Sequence, residues 1–391
     1  MKILLANLTK MVNDSGGLAK VTCAFANEMK RRGHDVSLVY SDVRTGSFYF
    51  PFRDDIPAYD LSNYKGKHIS FPFYMRLERE LLRVFDKRKA RKINNIFAEK
   101  YLLNNLQDVL QVTHPEIIVS FQPAASKLLL CDLHISTPVI TMSHGDPEDY
   151  FHTYPVEEIP ALEKSTVCQV LLPSFAQHIK KHLANAKTVV IGNSVPQYDI
   201  QADLKSRKIN YKILFIGRLV KSHKRPHLLI EAFAKLASDF PNWCVELWGA
   251  EHGKAYYKEL EILIKKYHLE NQVFLKGTTN DVKSVLQQGD IYAFPSAYEG
   301  FGLSLGEAMS MGLPAIGYKK CSAVNELIQD GVSGFLCDDG VDDFADKLKI
   351  LMENQTLRVQ MGQAARESMK QYSPEVIWNA WEQLFYRVSF K

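Results

Sequence analysis

The opening stretch KILLANLTKMVNDSGGLAKVTCAFANEMKRRGHDVSLVY, residues 2–40, sets the fold class. Ile3 to Leu8 is a short apolar run of strand length. After a loop reaching Gly17, the residues Leu18, Val21, Phe25, Ala26 and Met29 recur at three- and four-residue spacing, which gives a helix one apolar stripe until Gly33 ends it. Val36 to Tyr40 then returns as a second strand. Strand, helix and strand in that order predict a parallel sheet with helices on its faces.

The alternation continues along the chain. Strands are expected at Glu116 to Phe121, Pro138 to Ser143, Val167 to Leu172 and Thr188 to Ile191. Residues 196–210 are charged and polar without apolar periodicity, and a fresh strand starts directly after them at Tyr211-Lys-Ile-Leu-Phe-Ile-Gly. Further strands are expected at Ile213 to Ile216, Val245 to Trp248, Val273 to Leu275, Ile291 to Phe294 and Ala315 to Gly317. A chain of 391 residues exceeds what one hydrophobic core serves. The expectation is an α/β protein of two Rossmann-like domains with parallel sheets facing an interdomain cleft. The first domain spans 1–195, the linker 196–210 and the second domain 211–372. A packing helix at 373–391, with Pro374 in its first turn and an apolar face including Trp378, Trp381 and Phe385, is placed to cross back to the first domain.

Composition narrows the class. With 46% hydrophobic and 24% charged residues, both halves can build a core and disorder is not indicated. A net charge of +4 and a pI near 8.5 fall short of a nucleic-acid-binding balance. The six cysteines lack Cys-x-x-Cys spacing, which points to a reducing, cytoplasmic setting. No apolar run reaches the length of a membrane span, and the N-terminus lacks signal-peptide features.

Ligands of open parallel sheets bind beyond the carboxyl ends of strands, so the loops that follow strands carry the functional argument. The first is Glu299-Gly-Phe-Gly-Leu-Ser-Leu-Gly-Glu307. Its glycines let backbone approach a ligand, the amides at the following helix start suit a diphosphate, and the two carboxylates suit sugar hydroxyls. Ser304 and Glu307 also fit a capping box, in which the glutamate only satisfies backbone donors. The second is Gly217-Arg-Leu-Val-Lys-Ser-His-Lys-Arg225, where Arg218 and Lys224 form a candidate diphosphate clamp. A solvated basic surface is the alternative there. The third places His144 at a strand end before Gly145, for a sugar hydroxyl, a phosphate oxygen or proton transfer, with a structural histidine as the alternative. The fourth is Asn13-Asp-Ser-Gly-Gly17, with Ser15 as a candidate N-cap and Gly16 and Gly17 permitting close approach of a ligand. Dinucleotide-binding glycine spacing, a Walker pattern and His-Glu-x-x-His are all absent, and the acidic runs Asp146-Pro-Glu-Asp149 and Asp338-Asp339 read as solvated turns. No metal or other cofactor is expected.

These loops together resemble the retaining, nucleotide-sugar-dependent glycosyltransferases of the GT-B fold, in particular the GT4 family, also called group 1. The resemblance covers essentially the whole chain. Its most specific element is Glu-x7-Glu, matched by Glu299 and Glu307 and followed by Ala308-Met309 and Gly312-Leu313-Pro314. It implies that Glu299 contacts the transferred sugar, Glu307 the ribose, and the amides of Phe301, Gly302 and Leu303 the diphosphate. Arg218 and Lys224 match the basic pair, with one residue more than usual between them, so that Lys221 is a second candidate. Gly16 and Gly17 match the glycine loop of the first domain, His144 the histidine at the cleft, and the turn from Gly277 to Asp281 the seat of the base. The implied activity is metal-independent transfer of a hexose or N-acetylhexosamine, with UDP-sugar as the family-level donor, to a cell-surface glycan such as lipopolysaccharide, capsule or teichoic polymer, or to a lipid-linked acceptor. A non-catalytic sugar-nucleotide-binding subunit and a sugar-nucleotide epimerase are the alternatives.

One segment stands apart. Residues 71–92 combine Arg76, Arg79, Arg83, Lys87, Arg88, Lys89, Arg91 and Lys92 with Phe71, Phe73, Tyr74 and Leu77 against few acids. Such a helix can lie on an anionic membrane face, or can be an ordinary solvated helix.

Overall fold

The computed structural model describes residues 1–251 and 253–389. It divides into two compact units: Met1–Gly192 together with Trp378–Lys391, and Asn193–Ile377. Residues 390 and 391, at the end of the predicted C-terminal helix, lie outside the described residues.

The first unit is built on β1 (Lys2–Asn7), β2 (Asp35–Tyr40), β3 (Ala58–Asp60), β6 (Ile117–Ser120), β7 (Val139–Met142), β8 (Val167–Val170) and β9 (Thr188–Val190), with a small hairpin of β4 (Asn63–Tyr64) and β5 (Lys67–His68) beside them. The seven strands are ordered β3-β2-β1-β6-β7-β8-β9 and all pair in parallel. β1 and β6 to β8 are buried along almost their whole length, which is why they read as continuous apolar runs. The first helix, Gly17–Arg31, buries Cys23, Phe25, Ala26 and Met29. Phe25 anchors an aromatic cluster, meeting Phe121, Trp378, Trp381 and Phe385 edge to face at centroid distances of 6.1, 5.5, 4.8 and 6.3 Å. The last three come from the helix Pro374–Ser389, so the end of the chain completes the core of the unit that contains its beginning.

The second unit holds β10 (Tyr211–Ile216), β11 (Trp243–Trp248), β12 (Val273–Gly277), β13 (Ile291–Phe294), β14 (Ala315–Tyr318) and β15 (Gly334–Cys337), ordered β12-β11-β10-β13-β14-β15 and again parallel throughout. Its strand order runs outward in both directions from β10 and β13, and loops that follow those two neighbours diverge to opposite faces, leaving a crevice between them. The unit boundary falls after Gly192, ahead of the position read from the sequence, because the polar segment that follows is bonded to the second unit. The Arg366 guanidinium donates to the carbonyls of Ile200 (3.1 Å) and Tyr198 (2.5 Å), Gln355 Nε2 donates to those of Leu204 and Lys205, and the Ala202 amide donates to Met311. Residues 196–210 therefore lie along the second unit as a strap.

Candidate functional site

Two of the four loops singled out above follow β10 and β13, the strands at which the second sheet reverses order. They are tied together: the Ala297 amide donates to the His223 carbonyl at 2.7 Å, and Arg225 Nε donates to the Pro295 carbonyl at 3.0 Å. Lys224 Nζ sits 2.6 Å from Glu299 Oε1, with side chains only 14% and 10% exposed, and 4.7 Å from the centre of the Phe294 ring. Lys221 points elsewhere, to Glu259 at 2.5 Å on an exposed surface. The Arg218 side chain is exposed and pairs with no carboxylate among the described residues. The site thus presents one uncommitted guanidinium and one lysine already neutralised by the carboxylate expected to hold a sugar.

The helix after β13 runs from Leu303 to Ser310, and its N-cap is Gly302 in the left-handed region, φ 81° and ψ 53°, without a side-chain cap. This overturns the capping-box alternative: the cap is Gly302, no side chain bonds to it, and Ser304 lies inside the first turn. A left-handed N-cap is the reason for glycine at 302. Phe301 is buried edge to face against Tyr372 at 5.1 Å, so it offers a ligand its amide rather than its ring. The amides of Phe301, Gly302 and Leu303 donate to no protein acceptor among the described residues. Free amides at a helix start, carrying the positive end of the helix dipole, are the usual furniture of an anion site. Glu307 is 5% exposed and lies close enough to Tyr198 and Tyr292 for its charge to add to the burial that pushes both phenols upward.

The turn expected to seat a base is held by Gly277, φ 71°, whose carbonyl accepts from the Gly249 amide at 2.7 Å, and by Asp281, which caps the helix Val282–Gln287 through the Ser284 amide. Three residues of this region were not singled out from sequence. A Cβ on Gly249 would stand 1.8 Å from the Gly217 carbonyl oxygen, so glycine is required where β10 and β11 end side by side. Its signal was available, a glycine directly after an apolar strand. Ser296, fully buried in the β13 loop, has a hydroxyl without a partner, and Tyr198 faces Glu307 from the strap. Neither position carries a mark in sequence, since both depend on how distant segments pack.

The other two loops belong to the first unit. Gly16 and Gly17 follow β1 and start the first helix. Gly16, not Ser15, is the N-cap, at an extended φ of −72°, because the Asp14 carboxylate takes the Gly16 amide at 3.2 Å and leaves Ser15 outside the cap. A side chain at Gly17 would meet nothing within 4 Å, so the backbone there is open to approach. His144 follows β7 and stacks on Phe121, 5.4 Å between centroids and 10° between planes. Its Nε2 is buried without a partner, and burial lowers its pKa to about 4, so the ring is a neutral imidazole with one nitrogen unused.

Among the described residues one group has metal-ligand spacing, Glu148, His152 and His182, whose ligand atoms lie within 4.8 Å of one another. Lys181 Nζ also contacts the same Glu148 oxygen at 3.0 Å, so the cluster already carries its own cation. Asp146 departs from the reading as a solvated turn: it is buried and its carboxylate receives His178 Nδ1 at 2.6 Å.

The basic segment is not one helix but two, Phe73–Phe85 and Lys87–Phe97, broken at Asp86, whose carboxylate caps the second. Part of its charge is structural: Arg88 donates to the Phe151 carbonyl at 2.6 Å, and Arg91 donates to the Thr153 carbonyl at 2.9 Å and lies over the Tyr154 ring. On the first helix Met75 is buried, whereas Phe73, Leu77, Leu81, Val84 and Phe85 are 78, 53, 58, 79 and 87% exposed. That spacing makes a single outward apolar stripe, larger than scattered surface hydrophobics produce. No helix among the described residues is long and apolar enough to cross a membrane.

The fold is a chain of two α/β units with parallel sheets, and comparison with known proteins agrees with it. Residues 196–368, most of the second unit, match the family described as glycosyl transferases group 1. The chain is 33% identical over 179 residues to the N-acetyl-alpha-D-glucosaminyl L-malate synthase of Bacillus anthracis, covering 45% of this chain and 46% of that protein. It is 30% identical over 197 residues to the poly(ribitol-phosphate) alpha-N-acetylglucosaminyltransferase of Staphylococcus aureus, covering 50% of this chain and 38% of that protein. These alignments span less than half the length of those relatives. Among solved structures, a point mutant of S. aureus TarM in complex with fondaparinux, alpha-GlcNAc-glycerol and UDP superposes with a TM-score of 0.74 at 16% identity, covering 98% of this chain and 100% of that one. The likeness establishes the GT-B fold.

Proposed function

We propose that this protein is a retaining glycosyltransferase that moves a hexose or N-acetylhexosamine from a nucleoside-diphosphate sugar, UDP-sugar first, to a cell-surface glycan or lipid-linked acceptor without a metal ion. The observation that carries this is the conjunction at the β10–β13 crevice: an uncommitted Arg218, the Lys224–Glu299 pair and three unused amides at a left-handed helix start. Cation and amides suit a diphosphate, and Glu299 and Glu307 suit the hydroxylated groups at its two ends.

In the proposed step the bond from the anomeric carbon to the diphosphate oxygen breaks, and its electron pair leaves with the diphosphate. The acceptor oxygen bonds the same carbon from the same face. Its proton passes to the departing phosphate oxygen, so no dedicated base is needed. Arg218, Lys224 and the amides stabilise the charge that develops on the leaving group, which is where charge-stabilising groups accelerate most. His144, neutral and with a free nitrogen, positions the donor. Attachment to an anionic membrane face through the exposed stripe of Phe73–Phe85 belongs to the same reading, since it brings the enzyme to lipid-linked or envelope acceptors.

The test is release of nucleoside diphosphate from UDP-, GDP- and ADP-sugars by the purified protein, with and without chelator. Chelator-insensitive release from one donor is expected. Binding of a donor without any release would replace the enzyme by a sugar-nucleotide-binding subunit.

A further inference from the structure

The loop between β2 and β3 contains Phe48-Tyr-Phe-Pro-Phe52, four aromatic residues in five, outside any helix or strand. Large aromatic rings in a loop normally mark a core that the loop covers. Here Tyr49 is 52% exposed and Phe48, Phe50 and Phe52 are only half-buried. Together with Tyr40 they line a depression of about 490 Å³, within the size range of small-molecule sites. The rings are set edge to face, Tyr40 to Phe48 at 5.2 Å and Phe48 to Phe52 at 5.0 Å, which fixes their orientation.

The depression is attached to functional backbone. The loop begins at the carboxyl end of β2, next to β1, and is bonded to the loop that carries Gly16 and Gly17. The Asn13 amide donates to the Ser47 carbonyl at 3.1 Å, Val12 and Phe48 form a bridge, and the Asp42 carboxylate accepts the amides of Met11 and Val12 at 2.9 Å each. The aromatic floor is therefore held in a fixed relation to the glycine loop, on the ligand-facing edge of the first sheet.

We infer that this pocket receives a neutral pyranose ring of the acceptor, an assignment that rests on the glycosyltransferase reading and names the part of the first unit that selects its substrate. A pyranose has an apolar face of C–H groups and a girdle of hydroxyls. The pocket matches both, with aromatic faces for the C–H groups and Ser47, the Tyr49 phenol and Asp54 as polar lining. Asp54 is the one charged residue of the lining, so a phosphate or another anion would meet repulsion instead of a partner. The same carboxylate accepts a pair of sugar hydroxyls. The loops assigned to the diphosphate lie in the other unit.

Saturation-transfer NMR on the full chain tests the inference, with the methyl α- and β-pyranosides of glucose, galactose and N-acetylglucosamine as probes. At least one probe should receive saturation on the C–H protons of one ring face, and the signal should fall at least fivefold in the double variant Tyr49→Ala/Phe50→Ala. Asp54→Asn, which removes no packing atom, should weaken binding of the same probe and serves if the double variant fails to fold. No transfer to any probe, or transfer undiminished in the Asp54 variant, overturns the pocket. Donor cleavage by the parent protein is scored separately: if it fails while probe binding stands, the transferase reading falls and the sugar pocket remains.

Discussion

Lys224 and Glu299 are each expected to touch the donor, yet they hold each other in a nearly buried ion pair. Donor binding must then exchange that pair for two new ones, the ammonium to diphosphate and the carboxylate to sugar hydroxyls, which makes the pair a placeholder for the ligand. Arg218 has no such carboxylate partner among the described residues, so the two cations should answer substitution differently. Arg218→Ala should lower kcat by about 10²-fold with the melting temperature unchanged, because it removes only leaving-group stabilisation. Lys224→Ala should lower kcat similarly and also destabilise the second unit by about 3–5 kcal/mol, the usual cost of stranding a buried charge, and Glu299→Gln in that background should restore much of the stability but not the rate. Steady-state kinetics beside thermal melts decide it. Rates near the parent's in both single variants would remove the clamp. Glu307 has lost its capping role to Gly302, so Glu307→Ala should raise the donor KM about tenfold or more with kcat largely kept, as loss of a hydrogen bond to a charged group does. The sequence named these residues but not their pairing: Lys224 and Glu299 are 75 positions apart and meet because β10 and β13 are neighbours, a fact of topology and not of any local pattern.

At the scale of elements, the most legible strands are those buried on both faces, where parallel pairing demands unbroken apolar runs; β13, at Ile291–Phe294, is an example, while β9 and β12 are legible despite being partly solvated. Those missed are short or partly solvated. β3, β4 and β5 span three, two and two residues, and β15 starts at Gly334, whose missing side chain lets it lie against the Ala315 backbone, where a Cβ would come within 2.0 Å. The basic segment shows a different failure. Charge and aromatic content announced an amphipathic helix, but Asp86 breaks it, and the second helix spends Arg88 and Arg91 on backbone carbonyls. The stripe of the first helix stays exposed, flanked by Arg76 and Arg83, and in membrane contact would bury its apolar residues while the arginines meet anionic headgroups. Leu81→Glu/Phe85→Glu should therefore reduce co-sedimentation with vesicles rich in phosphatidylglycerol at least fivefold while leaving the melting temperature within about 2 °C, since both side chains are more than half exposed. Binding that ignores either the substitution or the anionic lipid content would remove the membrane from the proposal.

Across the whole molecule, two buried titrating groups of the first unit oppose each other. Burial lowers the His144 pKa from 6.5 to about 4, so between those values the unfolded chain carries a proton that the folded one lacks, and stability rises with pH. Glu158 runs the other way. It is 4% exposed and donated to by Asn95 Nδ2 at 2.7 Å, and burial raises its pKa from 4.5 to about 7 against the lowering influence of that hydrogen bond and of nearby Arg91 and Lys127. From pH 4.5 to 7 the folded state keeps a proton that the unfolded chain has released, so stability falls as pH rises. Each effect is about 3 kcal/mol, and over pH 4.5–6.5 they nearly cancel, so the parent's first unit should melt at almost constant temperature across that range. Single substitutions should expose the hidden slopes. Glu158→Gln leaves the histidine alone, and the melting temperature should climb with pH from 4.5 to 6.5; His144→Asn leaves the glutamate alone, and it should decline over the same range. His227 in the second unit, also lowered by burial first, adds to the histidine slope, so the two units need separate readouts, for which amide hydrogen exchange on β1 and β10 serves. Parallel pH profiles in both variants would mean that the two groups titrate alike in the folded and unfolded states, and that neither is held neutral by the core around it.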